Sequence, residues 1–394
     1  MRVLHVTPCY PPTWSYGGIP RVVYALARAQ AAAGHEVHVW TTDVMDEKTR
    51  SGMPARREEH GVTVHVSRLW SNRLAWSHQL YLPSTPVPDM SPDIVHLHGH
   101  RHLLNTAALR WARARGVPYV FTPNGTLPRV ERKRALKWVW DLAISGRVPA
   151  GAARCVAVSG AEVAALREAG VAAERICRIP NGLDLGEFDP LPPRGGARRA
   201  HGLGDGPLVV YLGQIAPRKG VDHLIEAFRS GAPAGATLVI AGPDMGGLAA
   251  ALARASGAPS VRFLGLLEGE ARLELLADAD VLVYAGHSEV FGLVPFEGLL
   301  CGAPVVVADD CGCGEIIREA GAGLLVRYGD LEGLRARIGT LLEDRAAAAA
   351  MVRRGRRFIH DRLSFEVVAR EHARMYREVI GARDELARGG APGR

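Results

Sequence analysis

The sequence predicts an α/β protein built on two doubly wound parallel sheets. Three observations carry that prediction. Short β-branched runs alternate with longer alanine- and leucine-rich segments along most of the chain, the pattern of strand–helix–strand units. The alternation stops once, in the Gly-, Pro- and Arg-rich stretch 184–206, and then begins again. The length of 394 residues exceeds one ordinary core and fits two or three domains of about 150 residues each.

In the first half, RVLHVT (2–7), EVHVWT (36–41), TVHVS (63–67), DIVHLH (93–98), PYVFT (118–122), RCVAV (154–158) and RICRI (175–179) read as strands. Between the first two, Val22, Val23, Leu26 and Ala29/Gln30 fall at helical spacing, with Gly34 placed for a C-terminal cap. The aperiodic stretch reads as a linker. After it come PLVVYLG (207–213), ATLVIAG (236–242), VRFLG (261–265), DVLVYA (280–285), PVVVAD (304–309) and GLLVR (323–327), separated by helices such as GVDHLIEAFRSG and DLEGLRARIGTLLEDRAAAAAMVRRG. The expected boundaries are a first domain over 1–190, a linker over 191–205 and a second domain over 206–363. A cleft is expected between the C-terminal edges of the two sheets. Phe365, Val367, Val368, Met375, Tyr376 and Val379 form a helical stripe, so a last amphipathic helix is expected over 364–380, with a mobile tail over 381–394.

Composition narrows the class. With 47% hydrophobic and 23% charged residues, the chain reads as soluble and globular. A net charge of +7 favours anionic partners such as nucleotides, but no nucleic-acid-binding motif is present. The start MRVLHVTPCYPP is not a signal peptide, and the longest uncharged apolar run, 298–308, is too short to span a bilayer. Six scattered cysteines without a C-x-x-C pair fit free thiols in a reducing cytoplasm.

Three segments carry chemistry. In PPTWSYGGIPRVV, Gly17 and Gly18 open directly into a helix, where free N–H groups and the helix dipole favour an anion; a tight strand–helix turn explains the same residues. In YLGQIAPRKGVDHLIEAF, Arg218 and Lys219 occupy a strand-to-helix loop and suit a diphosphate. HSEVFGLVPFEGLLCGAPVVVAD is the most specific. With a helix beginning near Leu293, Glu289 stands in the loop and Glu297 about one turn inside, so two carboxylates and a helix start face one ligand. Carboxylates are natural acceptors for the vicinal hydroxyls of ribose or of a sugar.

These segments, with PNGLD at 180–184 and in this order, resemble the retaining, nucleotide-sugar-dependent glycosyltransferases of family four, which have the two-domain GT-B fold. The resemblance covers about residues 1–380. It implies that Glu289 accepts hydrogen bonds from the donor sugar and Glu297 from the ribose, at a cleft rather than in the core. It places Phe291, Gly292 and Leu293 with their backbone toward sugar and phosphate, Lys219 on the diphosphate, Gly17 and Gly18 against phosphate and reaction centre, and the base near Gly265 and Leu266. The family's usual arginine after the strand-ending glycine is here Gln214, so Arg218 takes over part of its work or donor binding is altered. DDCGCGE (309–315) is one residue shorter than the family's G-G-x-x-E loop, which blurs the role of Glu315.

The four alternating histidines of DIVHLHGHRH raise the question of a metal. His96 and His98 share a strand face, but Gly99 breaks the run before His100 and His102, and zinc wants ligands from separate segments. The resemblance places His98 beside the donor sugar as a catalytic group; His96 reads as a packed strand histidine, His100 or His102 as facing the acceptor, and Asn124 is expected on the acceptor side. The D-x-D at Asp278–Asp280 links a helix to a strand at the sheet end opposite the cleft and reads as structural. No metal and no cofactor are expected, the nucleotide sugar being a co-substrate.

TPNGTLPRVERKRALKWVWDLAIS combines Arg129, Arg132, Lys133, Arg134 and Lys137 with Trp138 and Trp140. It reads as a surface helix burying its tryptophans or as a peripheral contact with the inner, anionic membrane face. The expected activity is transfer of a hexose to a glycan, lipid-linked or small-molecule hydroxyl in the cytoplasm. The competing readings are a phosphorylase or epimerase on the same fold and, from another class, a non-catalytic polyanion- or membrane-binding protein.

Overall fold

The computed structural model describes residues 1–13, 18–127, 147–231, 233–244, 246–287 and 289–389. Gly17 and the basic segment's Arg129 to Trp140 lie outside the described residues. The chain divides into two units, 1–182 with 365–394, and 183–364.

The first unit holds eight strands: β1 (Arg2–Val6), β2 (Glu36–Thr42), β3 (Arg56–Glu59), β4 (Val62–Ser67), β5 (Ile94–His98), β6 (Tyr119–Thr122), β7 (Arg154–Ala157) and β8 (Ile176–Arg178). Their order is β3-β4-β2-β1-β5-β6-β7-β8. All neighbours are parallel except β3 with β4. β3 leaves no mark in the sequence because Arg-Arg-Glu-Glu has no apolar residue to set a period. A two-residue turn specifies it instead: His60 (φ 51°) and Gly61 (φ 76°) both take positive φ, as a type I′ hairpin turn demands.

Strand alternation sorts this sheet's faces. Leu4, Val6, Val95, Leu97 and Phe121 pack under one face. Val3, Ile94 and Val120 pack on the other, with Leu26 of the helix Gly18–Ala32 and Phe365, Val368, Met375, Tyr376 and Val379 of the helix Phe365–Gly389. That last helix therefore completes the first unit's core. It runs to Gly389 rather than stopping at 380, because no Gly or Pro interrupts residues 382–388.

The second unit holds β9 (Leu208–Leu212), β10 (Thr237–Ala241), β11 (Val261–Gly265), β12 (Val281–Tyr284), β13 (Val305–Ala308) and β14 (Leu324–Val326), in the order β11-β10-β9-β12-β13-β14 and wholly parallel. The long segment expected as one helix is two, Leu331–Glu343 and Arg345–Phe358, divided where the Asp344 side chain caps Ala347 N–H at 2.9 Å.

The expected linker is a correction. Residues 191–205 contain the helix Gly196–His201 and belong to the second unit. The Asp278 carboxylate accepts from the Arg198 N–H at 2.9 Å and from the Gly195 N–H, satisfying donors of that helix start. Asp280 accepts from Leu208 N–H and pairs with Arg194, Arg198 and Arg345. The D-x-D thus fastens this segment of the second unit to the N-terminal ends of β9 and β12.

Candidate active site

In a doubly wound sheet, ligand-binding loops gather at the carboxyl ends of the strands where the order reverses. In the second unit that point lies between β9 and β12. The loop after β9 carries Gln214, Arg218 and Lys219, and the loop after β12 carries Gly286, His287 and Glu289. The two loops are docked: His287 N–H donates to Arg218 C=O at 2.8 Å, and a side chain on Gly286 would stand 3.2 Å from Lys219 Cα. Gly220 has φ +68°, and a Cβ there would meet the Ala285 carbonyl at 2.7 Å, so only glycine fits.

This docking brings Lys219 onto Glu289. The ammonium Nζ donates to Oε1, while the Tyr284 hydroxyl donates to Oε2 at 2.7 Å. Both charged side chains are mostly buried. Burial first, then the Glu289 charge, pushes the Tyr284 phenol well above its ordinary value, so it stays a neutral donor. The Glu289 carbonyl accepts from Gly312 N–H at 2.9 Å, which ties the loop to the start of the helix Gly312–Ala320, where Glu315 lies in the first turn.

The helix Val294–Cys301 begins one residue after Leu293, with Glu297 in its first turn. Gly292 enters it at φ +74°, its Cα packed so that a Cβ would lie 2.9 Å from the Tyr284 ring and 3.1 Å from Cys313 Sγ. Phe291 is buried against Phe296, ring centroids 5.5 Å apart. Glu297 departs from expectation. It is only 8% exposed and paired with Arg272 Nη1 at 2.5 Å, while Arg272 Nη2 reaches Glu187 at 3.1 Å. Arg272, on the helix Gly269–Asp278, was invisible to sequence spacing because 25 residues separate it from Glu297. Gln214 offers its carbonyl to Tyr211 Oη at 2.7 Å. Gly265 (φ +70°) ends β11 with its carbonyl taken by Gly242 N–H, and Leu266 is 59% exposed beside it.

In the first unit, the reversal point lies between β1 and β5, and register places His5 opposite His96. His96 and His98 are fully buried, as is His5. One ring nitrogen from each lies within 4.8 Å of the other two, the spacing a metal ion could bridge, and the three rings have six nitrogens in all. Five of the six are already hydrogen-bonded. His5 uses Nδ1 toward His98 Nε2 at 3.0 Å and Nε2 toward Gln30 Oε1 at 2.8 Å. His96 meets the Tyr376 hydroxyl at 2.6 Å and Thr122 Oγ1 at 2.7 Å. His98 Nδ1 alone has no partner. The arrangement is therefore a wired chain rather than an open ligand set. Burial lowers His5 to about 4 and holds His96 and His98 well below the ordinary imidazole value. His98 lines a small cavity with Thr122, Asn124, Asn181 and His372.

Gly18 is the first residue of the helix Gly18–Ala32. His100 is buried, its N–H donated to Thr126 at 2.7 Å. His102 instead caps the helix Leu103–Ala114, its ring accepting from Asn105 N–H at 3.4 Å. Asn124 sits at φ +51° with its Oδ1 buried and unpartnered. Its loop is clamped by Glu162, which no motif or spacing marks and which accepts from Gly125 N–H at 2.6 Å and Val158 N–H at 2.9 Å.

Two doubly wound units, one with a lysine–carboxylate pair at its reversal point, are the arrangement expected of the GT-B fold. Residues 16–187 match the model of Glycosyltransferase Family 4, and residues 196–358 match Glycosyl transferases group 1. D-inositol 3-phosphate glycosyltransferase of Xylanimonas cellulosilytica is 32% identical over 392 residues, 90% of this chain and 91% of that one. Glycogen synthase of Mycobacterium tuberculosis is 29% identical over 410 residues, 95% of this chain and 94% of that one. The structure of Anabaena HepE in complex with UDP-glucose superposes with a TM-score of 0.70 at 19% identity, covering 96% of this chain and all of that chain. The chain belongs to glycosyltransferase family 4.

Proposed function

We propose that this glycosyltransferase moves a hexose from a nucleoside-diphosphate sugar to an acceptor hydroxyl with retention of configuration and without a metal ion. The Lys219–Glu289 pair carries the reading. A sugar diphosphate supplies what each partner of the pair lacks, negative charge for the ammonium and hydroxyl donors for the carboxylate. Arg218, in the same turn, adds a second cation for the departing diphosphate. Glu297 keeps one carboxylate oxygen on Arg272 and offers the other to the ribose hydroxyls. The helix start at Leu293 and the backbone of Phe291 and Gly292 face phosphate and sugar, and the backbone of Gly265 and Leu266 takes the base. In the first unit His98 and Asn124 offer acceptors for sugar hydroxyls.

Retention follows from attack on the face from which the diphosphate leaves. The acceptor oxygen bonds to the anomeric carbon, the bond from that carbon to the phosphate oxygen breaks, and that oxygen takes the acceptor's proton. The leaving charge passes to Lys219, Arg218 and the helix dipole. The HepE complex with UDP-glucose is in keeping with a nucleotide sugar. No helix among the described residues is long and apolar enough to cross a membrane.

The test is nucleoside diphosphate release from UDP-, GDP- and ADP-hexoses, with glycan, inositol phosphate and lipid-linked acceptors, in the presence and absence of EDTA. Expected is acceptor-dependent release from one donor that survives EDTA, with an axial or equatorial product linkage matching the donor by NMR. Release abolished by EDTA and restored by manganese would refute the metal-independent step. Lys219→Met with unchanged release would refute the role of the pair.

A further inference from the structure

One glutamine connects both branches of the buried histidine chain. Gln30 lies on the helix Gly18–Ala32 at a position that sequence periodicity assigned to the apolar stripe, and it is fully buried. Its Oε1 faces His5 Nε2 at 2.8 Å and its Nε2 faces the Tyr376 hydroxyl at 3.5 Å. An amide oxygen only accepts and an amide nitrogen only donates. The remaining protons follow from that.

His5 must carry its proton on Nε2 to donate to Gln30. A neutral imidazole then has a lone pair on Nδ1, so His98, at 3.0 Å, must carry its proton on Nε2. His98 Nδ1 is left with a lone pair, and among the six ring nitrogens of His5, His96 and His98 it is the one without a hydrogen-bond partner. On the other branch the Tyr376 hydroxyl accepts from Gln30 and donates to His96 Nδ1, and His96 Nε2–H donates to Thr122 Oγ1. The chain works only with neutral rings, and burial of His5, His96 and His98 keeps them neutral at pH 7.

We infer that Gln30, acting through His5, is a positioning residue that fixes His98 as the Nε2–H tautomer and so presents its Nδ1 lone pair as the acceptor for a hydroxyl group. That the hydroxyl belongs to a sugar rests on the reading above; the tautomer does not. With the Gln30 amide turned over, the same atoms would dictate the opposite proton on His98, so the inference has a definite opposite.

The experiment is a long-range proton–nitrogen correlation spectrum of histidine-labelled full-length protein at pH 7, with the His98 ring assigned by its loss in His98→Asn. Expected is an unprotonated Nδ1 and a protonated Nε2 on His98. In Gln30→Met, which removes the acceptor, the His98 signals should shift toward tautomer averaging. The kcat should then fall about tenfold, the worth of one hydrogen bond, with KM little changed. His5→Asn keeps an amide oxygen near the position of Nδ1 and should retain the wild-type His98 pattern, whereas His5→Leu should not. A wild-type His98 protonated on Nδ1 overturns the inference even if the Gln30 and His5 variants do not fold, and so does an unchanged His98 pattern in folded Gln30→Met. Full turnover in His98→Asn would refute the sugar contact instead, and the spectrum would still decide the tautomer.

Discussion

Arg272 Nη1 lies 2.5 Å from Glu297 Oε2, and each side chain is only 11% exposed. The carboxylate assigned to ribose is therefore also half of a buried ion pair joining the helices Gly269–Asp278 and Val294–Cys301. Removing one partner of such a pair leaves an uncompensated charge, which costs more than the pair itself is worth.

Glu297→Ala should lose stability as well as donor affinity. About 3 kcal/mol is expected for the stranded guanidinium, since Glu187 holds only its other nitrogen and is itself half exposed. Glu297→Gln, which keeps an acceptor, should lose less. Urea denaturation checks this: a Glu297→Ala midpoint equal to wild type would show that the pair contributes nothing to folding.

Gly292→Ala should disturb the donor site through its backbone. An alanine at φ +74° is strained by roughly 1–2 kcal/mol, and its Cβ would press on the Tyr284 ring and on Cys313. Tyr284 holds Glu289, so calorimetry should record weakened donor binding together with a lowered melting temperature. Donor affinity within twofold of wild type would count against this coupling.

The buried histidines predict acid lability. His5, His102 and His372 fall to about 4 in the folded chain through burial, against an ordinary 6.5, and His96 and His98 are lowered by the same cause. Between these values the unfolded chain binds more protons, so stability rises with pH and is lost as pH falls from 6.5 toward 4. Each fully titrating group adds a slope of about 1.4 kcal/mol per pH unit. Glu162 opposes this: burial raises it to about 7 from 4.5, so the folded chain holds the extra proton and its contribution is lost as pH rises through that range. The histidines outnumber it. Denaturation midpoints that rise from pH 6.5 to 5 would contradict the assignment of neutral buried rings.

Truncation before Phe365 should unfold the first unit rather than merely slow turnover. The deleted helix buries Phe365, Val368, Met375, Tyr376 and Val379, each worth about 1.5–3 kcal/mol, which together match the stability of a whole domain. It also removes the hydroxyl that binds His96. Soluble truncated protein with a cooperative two-transition melt would refute this.

The strand–helix alternation made the α/β class and its doubly wound sheets legible, since period and connection length are local properties of the chain. The same holds for the loop position of Glu289, the helix start near Leu293 and the glycines at Gly220 and Gly292, whose φ values no other residue adopts easily. What the alternation could not carry was any segment whose structure is set from a distance. Residues 196–201 have the composition of a linker, yet they fold because Asp278, some 80 positions later, accepts their free N–H groups. The edge strand β3 has no apolar period and exists through its turn and its pairing.

Backbone propensity and apolar periodicity act over a few residues, so the architecture and the residue types at the candidate site were already written along the chain. What those residues touch was set by the packing of distant segments in three dimensions. It joined Arg272 to Glu297, closed Lys219 onto Glu289, and turned His98 from one of four alternating histidines into the end of a chain that begins at Gln30. Hydrogen bonds and ion pairs reach about 3 Å, so proximity in space assigns them, and sequence separations of 25, 70 and 93 residues leave no local trace.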